Sequence, residues 1–294
     1  MVPEMTSAMK QGVGRQKSLS LCREDFRKLA DFIYKKMGIL FAESKKYILE
    51  SRLSERMRVL GCETYQDYLM LLQNDLSRKE LKKLEILLTN NETSFMRNFP
   101  QLQEFQRQVL PEILERKNKQ VDQKIRIWSA GCSSGEEPYS LAMLAVEKFP
   151  SLAATRQLHI LGTDINQEVL QKALSGKYSV HNLRNLPSTY RMRYFKSTPS
   201  GYEVSDKIKS LVEFSYLNLV DFNRLKNIGQ FDVIFFRNVM IYFGKDVRKK
   251  VIDCMYDLLR PGGYLFLGHS ESLHGLSKAF KLKAIGRSLA YYKE

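Results

Sequence analysis

Nowhere in its 294 residues does the chain hold an apolar run of about 18 residues, so no helix is expected to span a bilayer. The first twenty residues are polar and lack an apolar h-region, and no secretory signal is expected. Only four cysteines occur, Cys22, Cys62, Cys132 and Cys254, with no C-x-x-C pairing. That argues against a zinc site or a disulfide frame, and no metal is expected. A reducing, cytoplasmic compartment is the default. No proline falls between Pro3 and Pro100, which fits a compact helical unit. Internal repeats and low-complexity tracts are absent. What the chain has in excess is positive charge: 47 Lys and Arg against 32 Asp and Glu, a net +15. Such a surface suits an acidic partner (nucleic acid, an anionic membrane surface or an acidic protein) or simply serves solubility. The length allows two domains, and an ordinary apolar fraction of 44% allows a sizeable core.

The pattern along the chain divides in two. Residues 1–19 read as a flexible tail. Residues 20–92 read as all-helical, with helices near Arg23–Met37, Ser44–Leu60, Tyr65–Leu72 and Arg78–Leu88 punctuated by Gly38, Gly61 and Asn74. Residues 93–118 read as a linker and a helix near Phe99–Lys117, with Pro100 in its first turn. From residue 119 to 294 strand-like runs alternate with helical ones. The runs are Ile125–Trp128, Leu158–Gly162, Leu211–Phe214, Phe231–Phe236 and Tyr264–Leu267; helices fall at Tyr139–Phe149, Gln167–Ser175 and Lys245–Leu259. That alternation predicts an α/β fold, a parallel sheet with helices on both faces. Leu282–Ile285 and Leu289–Tyr292, separated by Gly286-Arg287-Ser288, predict an antiparallel hairpin edge. Within 178–211 no crossover helix fits cleanly, and Tyr202–Val204 and Lys207–Lys209 suggest a small excursion of short strands.

Gly131-Cys-Ser-Ser-Gly-Glu-Glu-Pro-Tyr-Ser140 lies between a β-branched run and an apolar helix, the order of a cofactor-binding corner. Leu158-His-Ile-Leu-Gly-Thr-Asp164 then gives a second strand ending in an acid, the usual holder of ribose hydroxyls. Three chemistries compete for this corner. A dinucleotide would require G-x-G-x-x-G, and the middle glycine is missing. A hydrolase nucleophile elbow matches Gly131–Gly135 as G-x-S-x-G, with Asp232 and His269 following in triad order, but this strand is the first of its domain and no His-Gly-Gly segment precedes it. A cofactor with one nucleoside and no pyrophosphate needs only close backbone approach and strand-end acids. S-adenosylmethionine has that character, and its sulfonium accounts for carboxylates in a pocket of a basic protein. Glu136 and Glu137 also suit a helix N-terminus on dipole grounds alone.

With Thr89-Asn-Asn-Glu-Thr-Ser-Phe-Met-Arg97, Asn218-Leu219, Arg237-Asn-Val-Met-Ile-Tyr-Phe243 and Gly268-His-Ser-Glu271, these residues resemble the chemotaxis receptor glutamate methyltransferases, the CheR family. The resemblance runs from about Leu21 to Tyr291. It implies an all-α N-terminal domain followed by a Rossmann-like class I methyltransferase domain. That domain has a mostly parallel seven-stranded sheet, an antiparallel C-terminal edge and a small inserted β-subdomain. It implies methyl transfer from S-adenosylmethionine to glutamate side chains on chemoreceptor cytoplasmic helices, with S-adenosylhomocysteine as product. By resemblance Asn91, Thr93, Arg97, Glu137, Asp164, Asn218, Leu219, Arg237 and Asn238 contact the cofactor or line its pocket, and Arg97 and Tyr242 stand closest to the chemistry. Met96 departs from the family by replacing a second Phe, and Asn98 stands where an acid is common. The stretch Lys196–Leu211 is short beside members that dock on a receptor's C-terminal peptide, which puts such tethering in doubt. A monomer that inserts in no membrane is expected.

The implied chemistry needs no general base, because a free glutamate with a pKa of about 4.3 is already ionised at neutral pH. Positioning and removal of water remain, roles that suit the Arg97 fork and the Tyr242 hydroxyl. None of the four histidines is then needed: His159 reads as packed in a strand, His181 and His274 as loop positions, and His269 as fixing the turn after a strand. Cys132 reads as a small packed residue. Between Ser44 and Leu60 the apolar Leu49, Leu53, Met57 and Leu60 share one helical face, and Lys45, Arg52 and Arg56 cluster within about 40° beside it. Such a strip suits an acidic receptor helix, and in the family this helix is implicated in substrate recognition. Two rival classes stay open. A nucleic-acid methyltransferase would explain the charge, but Arg237-Asn-Val-Met stands where Asn-Pro-Pro-Tyr is usual, and no Pro-Cys dipeptide occurs. A non-catalytic cofactor-binding scaffold would not require Arg97 and Tyr242.

Overall fold

Phe26, Leu29, Ile33 and Met37 recur at helical spacing, and all four are buried on one side of α1 (Arg23–Met37). Gly38 ends that helix at φ +71, and its amide donates to Tyr34 O. The computed structural model describes residues 20–155 and 157–294; the tail expected over 1–19 lies outside them. Three more helices complete the N-terminal unit: α2 (Lys46–Leu60), α3 (Tyr65–Asn74) and α4 (Lys79–Leu88). Thr64 and Asp67 form a capping box at the start of α3. Leu49, Leu53 and Met57 lie against the inner faces of the other three helices as the periodicity predicts.

The stretch 93–118 is not a free linker. Phe95, Met96, Leu102, Phe105 and Ile113 are buried in the same cluster as Ile125 and Ile127 of the sheet. It carries α5 (Phe99–Glu104), one π-helical turn over Phe105–Val109, and α6 (Leu110–Asn118). The wider turn sits just before Pro111, which has no amide proton to donate to a regular α ladder.

Seven strands form the main sheet: β1 (Ile125–Ala130), β2 (Leu158–Asp164), β6 (Val212–Tyr216), β7 (Phe231–Phe236), β8 (Leu259–Leu267), β9 (Lys281–Ile285) and β10 (Ser288–Tyr292). Their order is β6-β2-β1-β7-β8-β10-β9. The first five run parallel, and β10 pairs antiparallel with β8 and β9, so the predicted hairpin is the sheet's edge. Side chains of one strand feed both layers: Ile125 and Ile127 point to one core, Trp128 and Ala130 to the other. Strands buried on both faces need continuous apolar runs, which is why these segments were visible without alternation. Helices α7 (Glu136–Lys148), α8 (Ser151–Ala154) and α9 (Gln167–Ser175) follow β1 and β2.

The insertion between α9 and β6 holds β3 (Lys177–Tyr178), α10 (Ser188–Tyr194), β4 (Phe195–Thr198) and β5 (Gly201–Val204), a three-stranded sheet in the order β3-β5-β4. Lys207–Lys209, expected as a strand, is one turn of helix, α11 (Asp206–Lys209): Lys209 N reaches Ser205 O at 3.0 Å and Ile208 is buried. In three residues one buried side chain between two lysines fits either period. Short α12 (Phe222–Leu225) and long α13 (Lys245–Leu258) flank β7. His159, expected to be packed, is partly exposed and sits 3.0 Å from Glu213 on the neighbouring strand. His181 lies in a short 3-10 turn rather than in open loop.

The N-terminal unit touches the end of β6 through one buried contact. Tyr216 Oη donates to the Glu85 carboxylate at 3.0 and 3.1 Å, and Glu85 is 1% exposed. Burial pushes this carboxyl up to about 7, while the Tyr216 bond and the charges of Arg78 and Lys82 pull it down. A folded-state value above that of the unfolded chain means the stabilisation is full at low pH and lost as pH rises through about 7. Urea midpoints measured at pH 5.5 and 8.5 should fall more for the wild type than for Glu85→Gln. The difference should be about 2 kcal/mol at most, because about 1.5 pKa units separate pH 5.5 from the folded-state value at about 1.36 kcal/mol each. Equal falls would mean that Glu85 is ionised throughout.

Candidate active site

Strand order reverses between β1 and β7, and a crevice opens there at the carboxyl ends of the parallel strands. The crevice and its mouth together span about 1040 Å³ of non-protein space, open solvent included. Its wall includes Asn91, Thr93, Arg97, Glu137, Asp164, Asn218, Leu219, Arg237, Asn238 and Tyr242, so all ten residues expected at a cofactor and reaction site converge. Lys45, Arg52 and Arg56 are not part of that wall.

Asp164 ends β2 and is buried; its two oxygens accept the amides of Ser133 at 2.8 Å and Asn166 at 2.9 Å. Burial pushes its carboxyl above the ordinary value, and these backbone donors oppose the shift. Each oxygen keeps a lone pair for a ligand hydroxyl. Glu137 accepts Ser129 Oγ at 2.7 Å and Arg237 Nη1 at 2.8 Å. The Arg237 side chain is 2% exposed, and its other terminal nitrogen donates to Arg97 O at 2.7 Å. Arg237 therefore acts chiefly as a buried strut between α7 and the segment that carries Arg97. Glu136 is buried away from the crevice, where Ser134 Oγ donates at 2.7 Å and Asn182 Nδ2 at 3.0 Å; burial raises its carboxyl. Of the two adjacent acids, only Glu137 reaches the crevice.

The glycines of the β1 turn do different work from that expected. Gly131 sits at φ +79, and a Cβ there would overlap Val239 Cγ2. At Gly135, φ +91, a Cβ would lie 2.8 Å from Ala173 Cβ and 2.9 Å from Phe214 Cζ. Both absent side chains make room for neighbouring side chains, and of the two only Gly131 lines the crevice. Cys132 is buried, its thiol pushed up by desolvation, as expected of a packing residue. The hydrolase reading fails on position: Asp232 is the second residue of β7, at the opposite end of the sheet from Ser133. There Asp232 accepts the Arg126 amide at 2.9 Å and pairs with Lys117 at 3.3 Å.

Residues 89–98 strap the crevice. Ser133 Oγ donates to Asn91 O at 2.9 Å, Ser140 Oγ accepts Met96 N at 3.0 Å, and Asn166 Nδ2 donates to Thr89 Oγ1 at 2.9 Å. Met96 and Asn98 both have positive φ, +56 and +55. Asparagine tolerates that region better than most residues, a physical reason for Asn98. Ser133 and Asn238 share the conformation, so four non-glycine residues with left-handed backbone surround one crevice.

Sequence reasoning missed the part played by the N-terminal unit. The loop after α1 pairs with the Tyr242 loop: Leu40 N donates to Tyr242 O at 2.9 Å, and Asn218 Nδ2 donates to Lys36 O at 2.7 Å. This docking places Met37 and Ile39 in the crevice wall, and Gly38 fits only because a Cβ would lie 2.7 Å from Val220 Cγ1. Asn218 lines the crevice, but its side chain is engaged with Lys36 O and the Val220 amide. Glu271 was missed as well, since the turn after β8 is held by its carboxylate and not by the exposed His269.

The basic strip on α2 is changed by its surroundings. Arg56 Nε donates to both oxygens of Glu80 at 3.0 and 3.1 Å, and Tyr68 Oη donates to the same carboxylate at 2.9 Å. Arg52 Nη1 donates to Leu87 O at 3.1 Å, and Lys45 is exposed. Arg56 is thus committed inside the N-terminal unit. The charge excess is elsewhere too: residues 20–92 hold 14 Lys and Arg against 12 Asp and Glu, while 177–211 hold 7 against 2.

Two measurements follow from this geometry. Asp164→Ala should weaken S-adenosylmethionine binding by calorimetry at least about tenfold, the value of a lost hydrogen bond to a charged group. An unchanged affinity would remove its ribose role. Arg56→Ala should lower the denaturant midpoint by the equivalent of about 1–3 kcal/mol, because Glu80 would be left buried with Tyr68 as its one side-chain partner. An undiminished midpoint would return Arg56 to the exposed strip.

The chain matches the family description "CheR methyltransferase, all-alpha domain" over residues 24–89 and "CheR methyltransferase, SAM binding domain" over residues 91–288. It is 37% identical over 270 residues to chemotaxis protein methyltransferase 2 of Vibrio cholerae, covering 92% of each chain. Identity to the chemotaxis protein methyltransferase of Escherichia coli is 35% over 272 residues, 90% of each chain. With that of Borreliella burgdorferi it is 33% over 259 residues, 88% of this chain and 91% of the other. The crevice fits the cofactor these domains bind, with the strand-end Asp164 and the helical Glu137 as acids for hydroxyl and ammonium groups and apolar Met37, Ile39 and Leu219 for a base. The chain belongs to the CheR methyltransferase family, and its cofactor is S-adenosylmethionine.

Proposed function

We propose that this protein esterifies glutamate side chains on the cytoplasmic helices of chemoreceptors, in the cytoplasm, as part of chemotactic adaptation. One observation carries the choice of acceptor: among the described residues no His or Lys lines the crevice. Of its three acids, Asp164 and Glu137 are already engaged by backbone and side-chain donors, and Glu92 is exposed to water at the rim. A nitrogen acceptor would have to lose a proton, whereas a carboxylate arrives without one. The names of its relatives, all chemotaxis protein methyltransferases, support the same reading.

When bound, S-adenosylmethionine supplies an electrophilic methyl group on a sulfonium that leaves readily. The chain's own residues then have three tasks. Asp164, Glu137 and the strap from Thr89 to Asn98 hold the cofactor site in place. The loop after α1 closes one wall and excludes water, which otherwise solvates the acceptor carboxylate. Arg97 and Tyr242 orient that carboxylate at the mouth. Arg97 Nη1 is engaged with Glu92 O at 2.9 Å, which fixes the side chain and leaves further guanidinium protons for the acceptor. Partial engagement suits the task, because a fully paired carboxylate is a poor nucleophile.

Incubation with methyl-labelled cofactor and receptor-containing membranes should give base-labile label released as methanol; base-stable label would point to nitrogen. Arg97→Ala should lower turnover by about 10²-fold or more while cofactor affinity changes far less, since misplacement alone costs that much. A fully active variant would defeat the positioning role.

A further inference from the structure

Glu271 holds the turn after β8, and the same carboxylate grips a second strand end at once. Oε2 accepts the amide of Gly268, just after β8, at 2.8 Å, and the amide of Asn238, two residues after β7, at 2.7 Å. The two turns approach so closely that a Cβ at Gly268 would lie 2.6 Å from Glu271 Oε2 and 2.9 Å from Asn238 N. Asn238 is held at φ +60, a conformation that L residues adopt reluctantly, and it lines the crevice. Next to it, Val239 fills the space left by Gly131. The other Glu271 oxygen, Oε1, is buried and has no hydrogen-bond partner.

We infer that Glu271 is a positioning residue for the cofactor site: by bonding the Asn238 amide it sets the left-handed turn that aims Asn238 into the crevice. A charged acceptor on a backbone amide is stronger than a neutral one, which suits the task of holding a disfavoured backbone angle. Oε1 takes no part in the grip, so a neutral amide in the same place keeps both bonds. The inference rests on the reading that Asn238 faces the cofactor.

Calorimetric affinity for S-adenosylhomocysteine and the urea midpoint, measured on the full chain, test it together. Glu271→Ala should weaken binding about tenfold or more. Glu271→Gln should bind within about threefold of the wild type, yet unfold at lower urea because its amide nitrogen would be buried without an acceptor. Affinity and stability therefore separate in Glu271→Gln and fall together in Glu271→Ala, whereas a purely structural glutamate would lose both together in both variants. In an Asn238→Gly background, where there is no side chain to aim and no angle to enforce, Glu271→Ala should cost less than about threefold. In an Asp164→Ala background it should keep its full effect. If Glu271→Ala does not fold, Glu271→Asp, one methylene too short, takes its place. Wild-type affinity for Glu271→Ala, or a full effect in the Asn238→Gly background, would overturn the inference. Unchanged affinity for Asn238→Gly alone would overturn the reading on which it stands.

Discussion

The site is built on carboxylates held out of water at one edge of a parallel sheet. A buried acid is tolerated only where donors replace its lost solvent. Each acid here meets that demand differently. Asp164 takes two backbone amides from its own turn and from the β1 turn. Glu137 takes a buried arginine and a serine, and Glu271 takes two amides from separate strand ends. Because each acid draws at least one donor from a segment other than its own, satisfying the acids also fixes those segments against one another. Arg237 extends this coupling by bonding the Arg97 carbonyl with the nitrogen that Glu137 leaves free. The residues nearest the chemistry are therefore placed by the same bonds that make the cofactor pocket possible.

The N-terminal unit is part of that placement rather than an appendage. Its α1 ends at Gly38, and the next residues pair with the segment bearing Tyr242. Tyr34 bonds Asp246 at the start of α13, so the helix and its trailing loop grip both sides of the Tyr242 turn. Met37 and Ile39 reach the crevice only while this docking holds. Cofactor pocket and acceptor-facing surface thus share a seam, which Glu85 and Tyr216 close at a second point.

Features that depend on neighbours in sequence were legible; those that depend on neighbours in space were not. Phe231–Phe236 was readable as a strand because burial on both faces demands an unbroken apolar run, and Asp164 was readable because it ends such a run. Asn218-Leu219 and the Arg237–Phe243 segment fell on one crevice because parallel strands bring their carboxyl ends together whatever their separation in the chain. The pairing of Arg56 was not legible because its partner Glu80 is 24 residues away on another helix, a distance no periodicity reports. Glu271 was passed over for His269 because sequence shows which side chains follow a strand, not which one folds back on it. The β1 glycines were read as room for ligand, but their clashes are with Val239 and Ala173, side chains that only the folded topology brings near.

Charge is distributed in a way that separates encounter from selection. The +15 is weak from residue 20 to 176, where acids nearly balance bases, and strongest from residue 177 onward, in the inserted sheet and the strands and helices after it. A field of that kind draws in an acidic partner over a Debye length, about 8 Å at physiological salt, and cannot choose one glutamate among several. Choice must then come from short-range fit at a crevice whose own arginines are already committed: Arg237 to Glu137, and Arg97 in part to Glu92. On the proposed function, raising salt would slow the arrival of the acidic acceptor while leaving short-range selection in the crevice largely intact, because buried or partly buried pairs are screened much less than exposed ones.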